Sequence, residues 1–199
     1  GHGTAALAQT AIEPTGVVTG SVAWIAPSPD FVRDSPAGVL FAAWTEEGTI
    51  SGRPAGALAG RLFASADGGA TWNRVSGGLP SDQLVNALAF SPDFVRDHVV
   101  FASLLSPSGS GGGIYVSKDA GRSWRPATQG LGDWIVSEIA VAPGFPFNGT
   151  VYALTWQSGL FRSTDGGATW THTGYQASPP VGMNTRTLVI SPDFVNDNT

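Results

Sequence analysis

The chain has no cysteine, one methionine and one lysine in 199 residues. Without thiols it forms no disulfide and offers no thiolate to a metal. Charged residues make up only 13% and leave a net charge of −5 with a pI near 4.9. That balance supplies no basic surface for nucleic-acid phosphates or anionic lipid. No run of 18 apolar residues occurs, so no membrane-spanning helix is predicted. Histidine is sparse as well: His2, His98 and His172 lie far apart, without metal-ligand or triad spacing. No metal and no cofactor is expected.

What is abundant is turn-forming residues. Glycine and proline together are about a fifth of the chain, the profile of short apolar strands joined by tight turns. These turns repeat. Ser65-Ala66-Asp67-Gly68-Gly69-Ala70-Thr71-Trp72 returns as Ser117-Lys118-Asp119-Ala120-Gly121-Arg122-Ser123-Trp124. It returns again as Ser163-Thr164-Asp165-Gly166-Gly167-Ala168-Thr169-Trp170. A second motif keeps the same phase: Ser28-Pro29-Asp30-Phe31 recurs as Ser91-Pro92-Asp93-Phe94 and Ser191-Pro192-Asp193-Phe194, with a degenerate copy at Ala142-Pro143-Gly144-Phe145. A period near 50 residues is that of a four-stranded propeller blade.

The fold class predicted is therefore all-β, with four-stranded antiparallel β-propeller blades: three blades and the first strand of a fourth, part of a larger propeller. The chain divides into a tail or linker at 1–17, blades at 18–80, 81–131 and 132–180, and the start of a fourth at 181–199. In the second blade the strands expected are Val85–Phe90, His98–Ala102, Gly113–Ser117 and Trp124–Ala127. In the first they are Ser21–Ala26, Val39–Ala42, Arg61–Ala64 and Trp72–Val75; in the third, Ile135–Val141, Thr150–Leu154, Gly159–Ser163 and Trp170–Thr173. Arg186–Ile190 reads as the opening strand of the fourth blade.

The repeated residues suit a structural role. Asp67, Asp119 and Asp165 can accept backbone N–H bonds within their turns, and Gly69, Gly121 and Gly167 allow positive φ. The hydroxyls of Ser65, Thr71, Ser117, Ser123, Ser163 and Thr169 can tie each turn to its neighbour, and Trp72, Trp124 and Trp170 can fill the space between blades. Three equivalent carboxylates, one per blade, lie too far apart to converge on a substrate. In the second motif, Pro fixes the turn, Asp caps it and Phe anchors it.

The octapeptide resembles the Asp-box, or BNR repeat, of sialidases, xyloglucanases, sortilin-type receptors and the photosystem II assembly factor family. The likeness covers residues 18–199 and implies the propeller architecture; those families differ in activity, so it implies no reaction. The sialidase Arg-Ile-Pro stretch is missing. A xyloglucanase-like pair of facing carboxylates would have to come from Asp133 with Glu46 or Glu47.

Both repeated motifs fall on one face of the blades. The other face carries the second-to-third strand loops and the inter-blade links, where the sequence varies most. There lie a long insertion from Trp44 through Glu46 and Glu47 to Gly60, the Ser106–Gly113 loop, Trp156, and links containing Asp133, Trp134 and Tyr175. These aromatics fall outside the octapeptides, and with the nearby acids they suit a sugar or peptide surface. The reading is a non-catalytic, exported binding or scaffold segment with protein or glycan partners. Further blades, self-association or partner subunits would cover the open sheets. A portion of a glycoside hydrolase, or a subunit of a large extracytoplasmic complex, are the alternatives. Export is suggested by the Ala-x-Ala flavour of the first nine residues.

Overall fold

A computed structural model describes residues 20–29, 31, 38–46, 61–75, 77–106, 111–175, 188–192 and 194. Among them are twelve strands in three four-stranded antiparallel sheets, each ordered as the chain runs. The first sheet is β1 (Gly20–Pro27), β2 (Leu40–Glu46), β3 (Arg61–Ser65) and β4 (Asn73–Val75). The second is β5 (Leu84–Phe90), β6 (Val100–Leu105), β7 (Gly112–Ser117) and β8 (Arg125–Pro126). The third is β9 (Val136–Val141), β10 (Val151–Thr155), β11 (Gly159–Ser163) and β12 (Thr171–His172). These are propeller blades. Strands β6 and β7 are buried almost throughout, because neighbouring sheets cover both of their faces.

Two four-residue helices, α1 (Phe94–Asp97) and α2 (Phe145–Asn148), close the turns after β5 and β9. The capping differs from the expectation. Asp93 makes no side-chain cap and instead pairs with Arg96 at 3.2 Å. Ser91 holds the turn: its Oγ accepts the Asp93 N–H at 3.1 Å and donates to Asp97, whose carboxylate also takes the Val99 N–H at 2.9 Å. Phe94 is the anchor foreseen, 2% exposed.

Three strand boundaries move in an informative way. β2 continues through Trp44 to Glu46, pairing Trp44 with Val22 and Arg61, so the insertion begins later than the sequence suggests. Gly112 and Gly113, read as loop and strand edge, both belong to β7. Leu188–Ile190 form no strand, while Arg186 and Thr187 lie outside the described residues. The expected opening strand of a fourth blade is therefore not seen at Leu188–Ile190.

Each first strand carries a bulge near its start, leaving residues 23, 86 and 137 out of register with the second strand. A bulge at the same place in each of the three described sheets adds local twist to its first strand. Asn86 uses the displacement to donate its side-chain amide to the Val136 carbonyl of the next sheet at 3.2 Å.

The core lies between sheets. One cluster holds Phe41, Leu62, Val85, Phe94, Val100 and Trp124; the other holds Phe101, Val116, Val136, Phe145, Val151 and Trp170. The octapeptide glycines make this packing possible. A Cβ on Gly121 would come within 2.5 Å of Phe41 Cζ, and one on Gly167 within 2.8 Å of Phe101 Cε1. The aromatic of one blade's second strand thus presses into the octapeptide of the next.

Candidate functional site

The octapeptides build turns, and the bonds are the same in all three. The Ser65 hydroxyl donates to Asp67 at 2.7 Å and accepts the Gly69 N–H at 2.8 Å; Ser117 and Ser163 do likewise with Asp119 and Gly121, and with Asp165 and Gly167. The Asp67 carboxylate takes both the Thr71 N–H and the Thr71 hydroxyl, and Ser123 and Thr169 repeat this on Asp119 and Asp165. The hydroxyls therefore close their own turn, which corrects the expectation that they reach a neighbouring one. Blade-to-blade ties come instead from the tryptophans: Trp124 N–H donates to the Gly77 carbonyl at 2.7 Å and Trp170 N–H to the Gln129 carbonyl at 2.8 Å.

These bonds explain the acidity of the box. The Thr71 hydroxyl and amide, with Ser65, hold Asp67 at about 2, and the Thr169 hydroxyl and amide do the same for Asp165, which also stands at about 2. For Asp119 desolvation pulls upward, but the bonds from Ser123 and Ser117 outweigh it and its pKa is still lowered. A carboxylate this satisfied is a poor base and a poor metal ligand, and no His, Asp and Glu cluster fit for a metal occurs among the described residues. A cleft of about 330 Å³ on this side, lined by Val116, Lys118, Asp119, Ser123, Trp124 and Arg125, contains the second box itself.

Three of the four exposed aromatics among the described residues lie on the opposite face; the fourth, Phe147, is on α2 on the motif side. Trp134 (51% exposed), Ile135 (36%), Trp156 (39%) and Tyr175 (60%) all occur there. They stand on three separate segments joined by backbone bonds. Trp156 N–H donates to the Ile135 carbonyl at 2.8 Å, and Leu160 N–H donates to the Tyr175 carbonyl at 3.1 Å. The Trp134 carbonyl accepts the Gly113 N–H at 2.9 Å. The Trp134 ring lies against Gly113, where a Cβ would come within 3.3 Å of it. With φ at +88°, that position needs glycine on both counts.

Asp133 is the pin of this surface. One carboxylate oxygen takes the Ile135 N–H at 3.0 Å and the other takes the Gln157 N–H at 2.7 Å. It links the inter-blade connection to the β10–β11 turn, so its role is in positioning the aromatics. His172 ties the same region: its Nε2 lies 2.7 Å from the Ser158 carbonyl, and its ring packs edge-on against Phe161.

The structure thus brings Asp133, Trp134, Trp156 and Tyr175 to one surface. Trp44 and Glu46 are placed by backbone only, at the end of β2, and Glu47 lies outside the described residues. Ile135 was missed, because an isoleucine opening an apolar strand reads as core. Glu138, on β9, is partly buried, and that burial raises its pKa from the ordinary value.

The BNR/Asp-box repeat family matches residues 161–172, which contain the third octapeptide. The third octapeptide thus matches a BNR/Asp-box repeat, and the first and second octapeptides repeat its hydrogen bonds. Comparison with curated protein sequences gives no significant match. Among solved structures, the chain is similar to YCF48 bound to D1 peptide, at 20% identity and TM-score 0.41, over 65% of this chain and 36% of that one. It is similar to a GH74 xyloglucanase from Xanthomonas campestris at 24% identity and TM-score 0.46, over 67% of this chain and 18% of the enzyme. It is also similar to a Hadza microbial sialidase at 20% identity and TM-score 0.45, over 70% of this chain and 31% of that one. The chain therefore spans between 18% and 36% of the length of these structures.

Proposed function

We propose that these Asp-box blades form a non-catalytic, exported binding or scaffold module for protein or glycan partners. The ligand is seated on the surface formed by Trp134, Ile135, Trp156 and Tyr175. The observation that carries this reading is the exposure of four large apolar side chains on segments that are bonded to one another. Scattered apolar side chains need no explanation, but a gathered set marks an interaction surface. Rigid aromatics lose little conformational entropy on binding, which is why they anchor recognition surfaces. Asp133 supports the non-catalytic reading, because both of its oxygens are engaged by backbone N–H groups.

The test is a titration by tryptophan fluorescence against neutral oligosaccharides and a library of extended peptides. One of these classes should bind, and Trp134→Ala and Trp156→Ala should each weaken binding by about tenfold or more, as expected of anchor residues. Circular dichroism of both variants should match the parent. Binding that survives the double variant, or hydrolysis of a glycan that disappears with Asp133→Asn, would overturn the proposal.

A further inference from the structure

We infer that Asn148 is a site of spontaneous deamidation, reached when α2 unwinds, and that its conversion to aspartate gives this turn the residue its counterparts already carry. The site lies on the motif side of the blades, away from the aromatic surface, and does not depend on it.

The seventh position of the Ser-Pro-Asp-Phe motif is aspartate in three copies, Asp34, Asp97 and Asp197, and asparagine only in the degenerate one, at Asn148. Asn148 is followed by Gly149, the one Asn-Gly pair in the chain. That pair favours cyclisation, because glycine has no side chain to hinder its own nitrogen as it attacks the asparagine carbonyl carbon. The Gly149 nitrogen bonds to Asn148 Cγ, and the side-chain nitrogen leaves as ammonia, taking the Gly149 amide proton with it. Water then adds to one of the two carbonyls of the resulting five-membered imide. Breaking one C–N bond gives aspartate; breaking the other gives isoaspartate, in which the backbone runs through the side chain.

The native fold closes this route. Gly149 N–H is committed to the Phe145 carbonyl at 2.8 Å, and Asn148 Oδ1 accepts the Thr150 N–H at 2.9 Å, which fixes the carboxamide. Attack therefore requires α2 to open. The helix has four residues, of which Pro146, Phe147 and Asn148 are exposed, so little buried surface opposes its opening. It also lacks the anchor of α1. Ser91 accepts the Asp93 N–H and donates to Asp97, whereas Ala142 stands in the place of Ser91 and donates nothing.

Aspartate fits where asparagine stood. Asp97 accepts the Val99 N–H at 2.9 Å, the same bond that Asn148 makes with Thr150, so the acid keeps it. Isoaspartate does not fit. It adds a methylene to the backbone between two fixed points, the Gly149 N–H bond to Phe145 and the Gly149 carbonyl, which accepts the Gly166 N–H at 3.0 Å. There is no room for the longer path, since even a Cβ on Gly149 would come within 2.7 Å of the Gly166 nitrogen.

The test incubates the full chain in mildly alkaline buffer, native and in urea, and follows each asparagine by peptide mapping with mass spectrometry. Asn148 should convert in both, about tenfold or more faster in urea, while Asn73 and Asn86 stay intact over the same period. Pro146→Gly, which loosens the first turn of α2, should speed conversion in the native chain by about two- to fivefold and leave the rate in urea unaltered. Asn148→Asp should keep the denaturation midpoint of the parent, and brief proteolysis of the aged native chain should remove isoaspartate forms before aspartate forms. Equal rates at Asn148 in buffer and in urea, no conversion in either, or no response to Pro146→Gly would overturn the inference. A lowered midpoint for Asn148→Asp, or equal proteolysis of the two products, would overturn it as well.

Discussion

The pair Gly69→Ala and Gly121→Ala isolates the blade joint from the turn that carries it. Both glycines occupy the same octapeptide position, with φ at +91° and +83°. An alanine there costs about 1–2 kcal/mol in either blade, the penalty of the left-handed region for an L-residue. The surroundings differ. The nearest atom to a Cβ on Gly69 is Leu40 Cδ1 at 3.5 Å, ordinary contact, whereas on Gly121 the Phe41 ring stands at 2.5 and 2.6 Å. Phe41 is 0% exposed and cannot swing away, so overpacking adds about 1–3 kcal/mol. Gly69→Ala should therefore cost about 1–2 kcal/mol and Gly121→Ala about 2–5 kcal/mol. Urea denaturation followed by tryptophan fluorescence measures both. Equal costs would refute the reasoning, because they would mean that the glycine serves its turn alone and the Phe41 contact carries no energy.

Three further outcomes are expected. Trp124→Ala should cost about 3–5 kcal/mol, since Trp124 is 5% exposed in the inter-sheet core, while the half-buried Trp72 should cost clearly less when truncated; chemical denaturation compares them. Asp67 and Asp165 are held at about 2, below their ordinary 3.8. Their contribution to stability is thus complete above pH 4–5 and lost as pH falls from there towards 2, and Thr169→Val should shift acid unfolding, followed by circular dichroism, to higher pH. Asp133→Ala should cost about 1–3 kcal/mol by removing the acceptor for Ile135 and Gln157, measurable by thermal unfolding.

Much of the fold was legible because the chain states it several times. The octapeptide fixes its own geometry through bonds no longer than four residues, from Ser65 to Gly69 and from Asp67 to Thr71, so sequence alone determines the turn wherever it recurs. The spacing of these turns, with apolar runs between them, determined four-stranded blades. Local capping was harder to read: Ser91 and Asp97 share the work assigned to Asp93, since which nearby oxygen reaches an N–H depends on a degree of backbone rotation that residue type does not fix.

The candidate surface was legible only in part. Trp134, Trp156 and Tyr175 stood out because the repeat does not account for them. That they share a surface, and that Ile135 joins them, was decided by bonds between residues as far apart as Asp133 and Gln157. The same holds for the joint. Phe41 and Phe101 read as ordinary strand residues, and nothing in their own segments links them to Gly121 and Gly167. Sequence determined what each blade is, through contacts within a few residues; only the tertiary structure decided what one blade does to the next, because that contact exists only once two finished sheets are stacked.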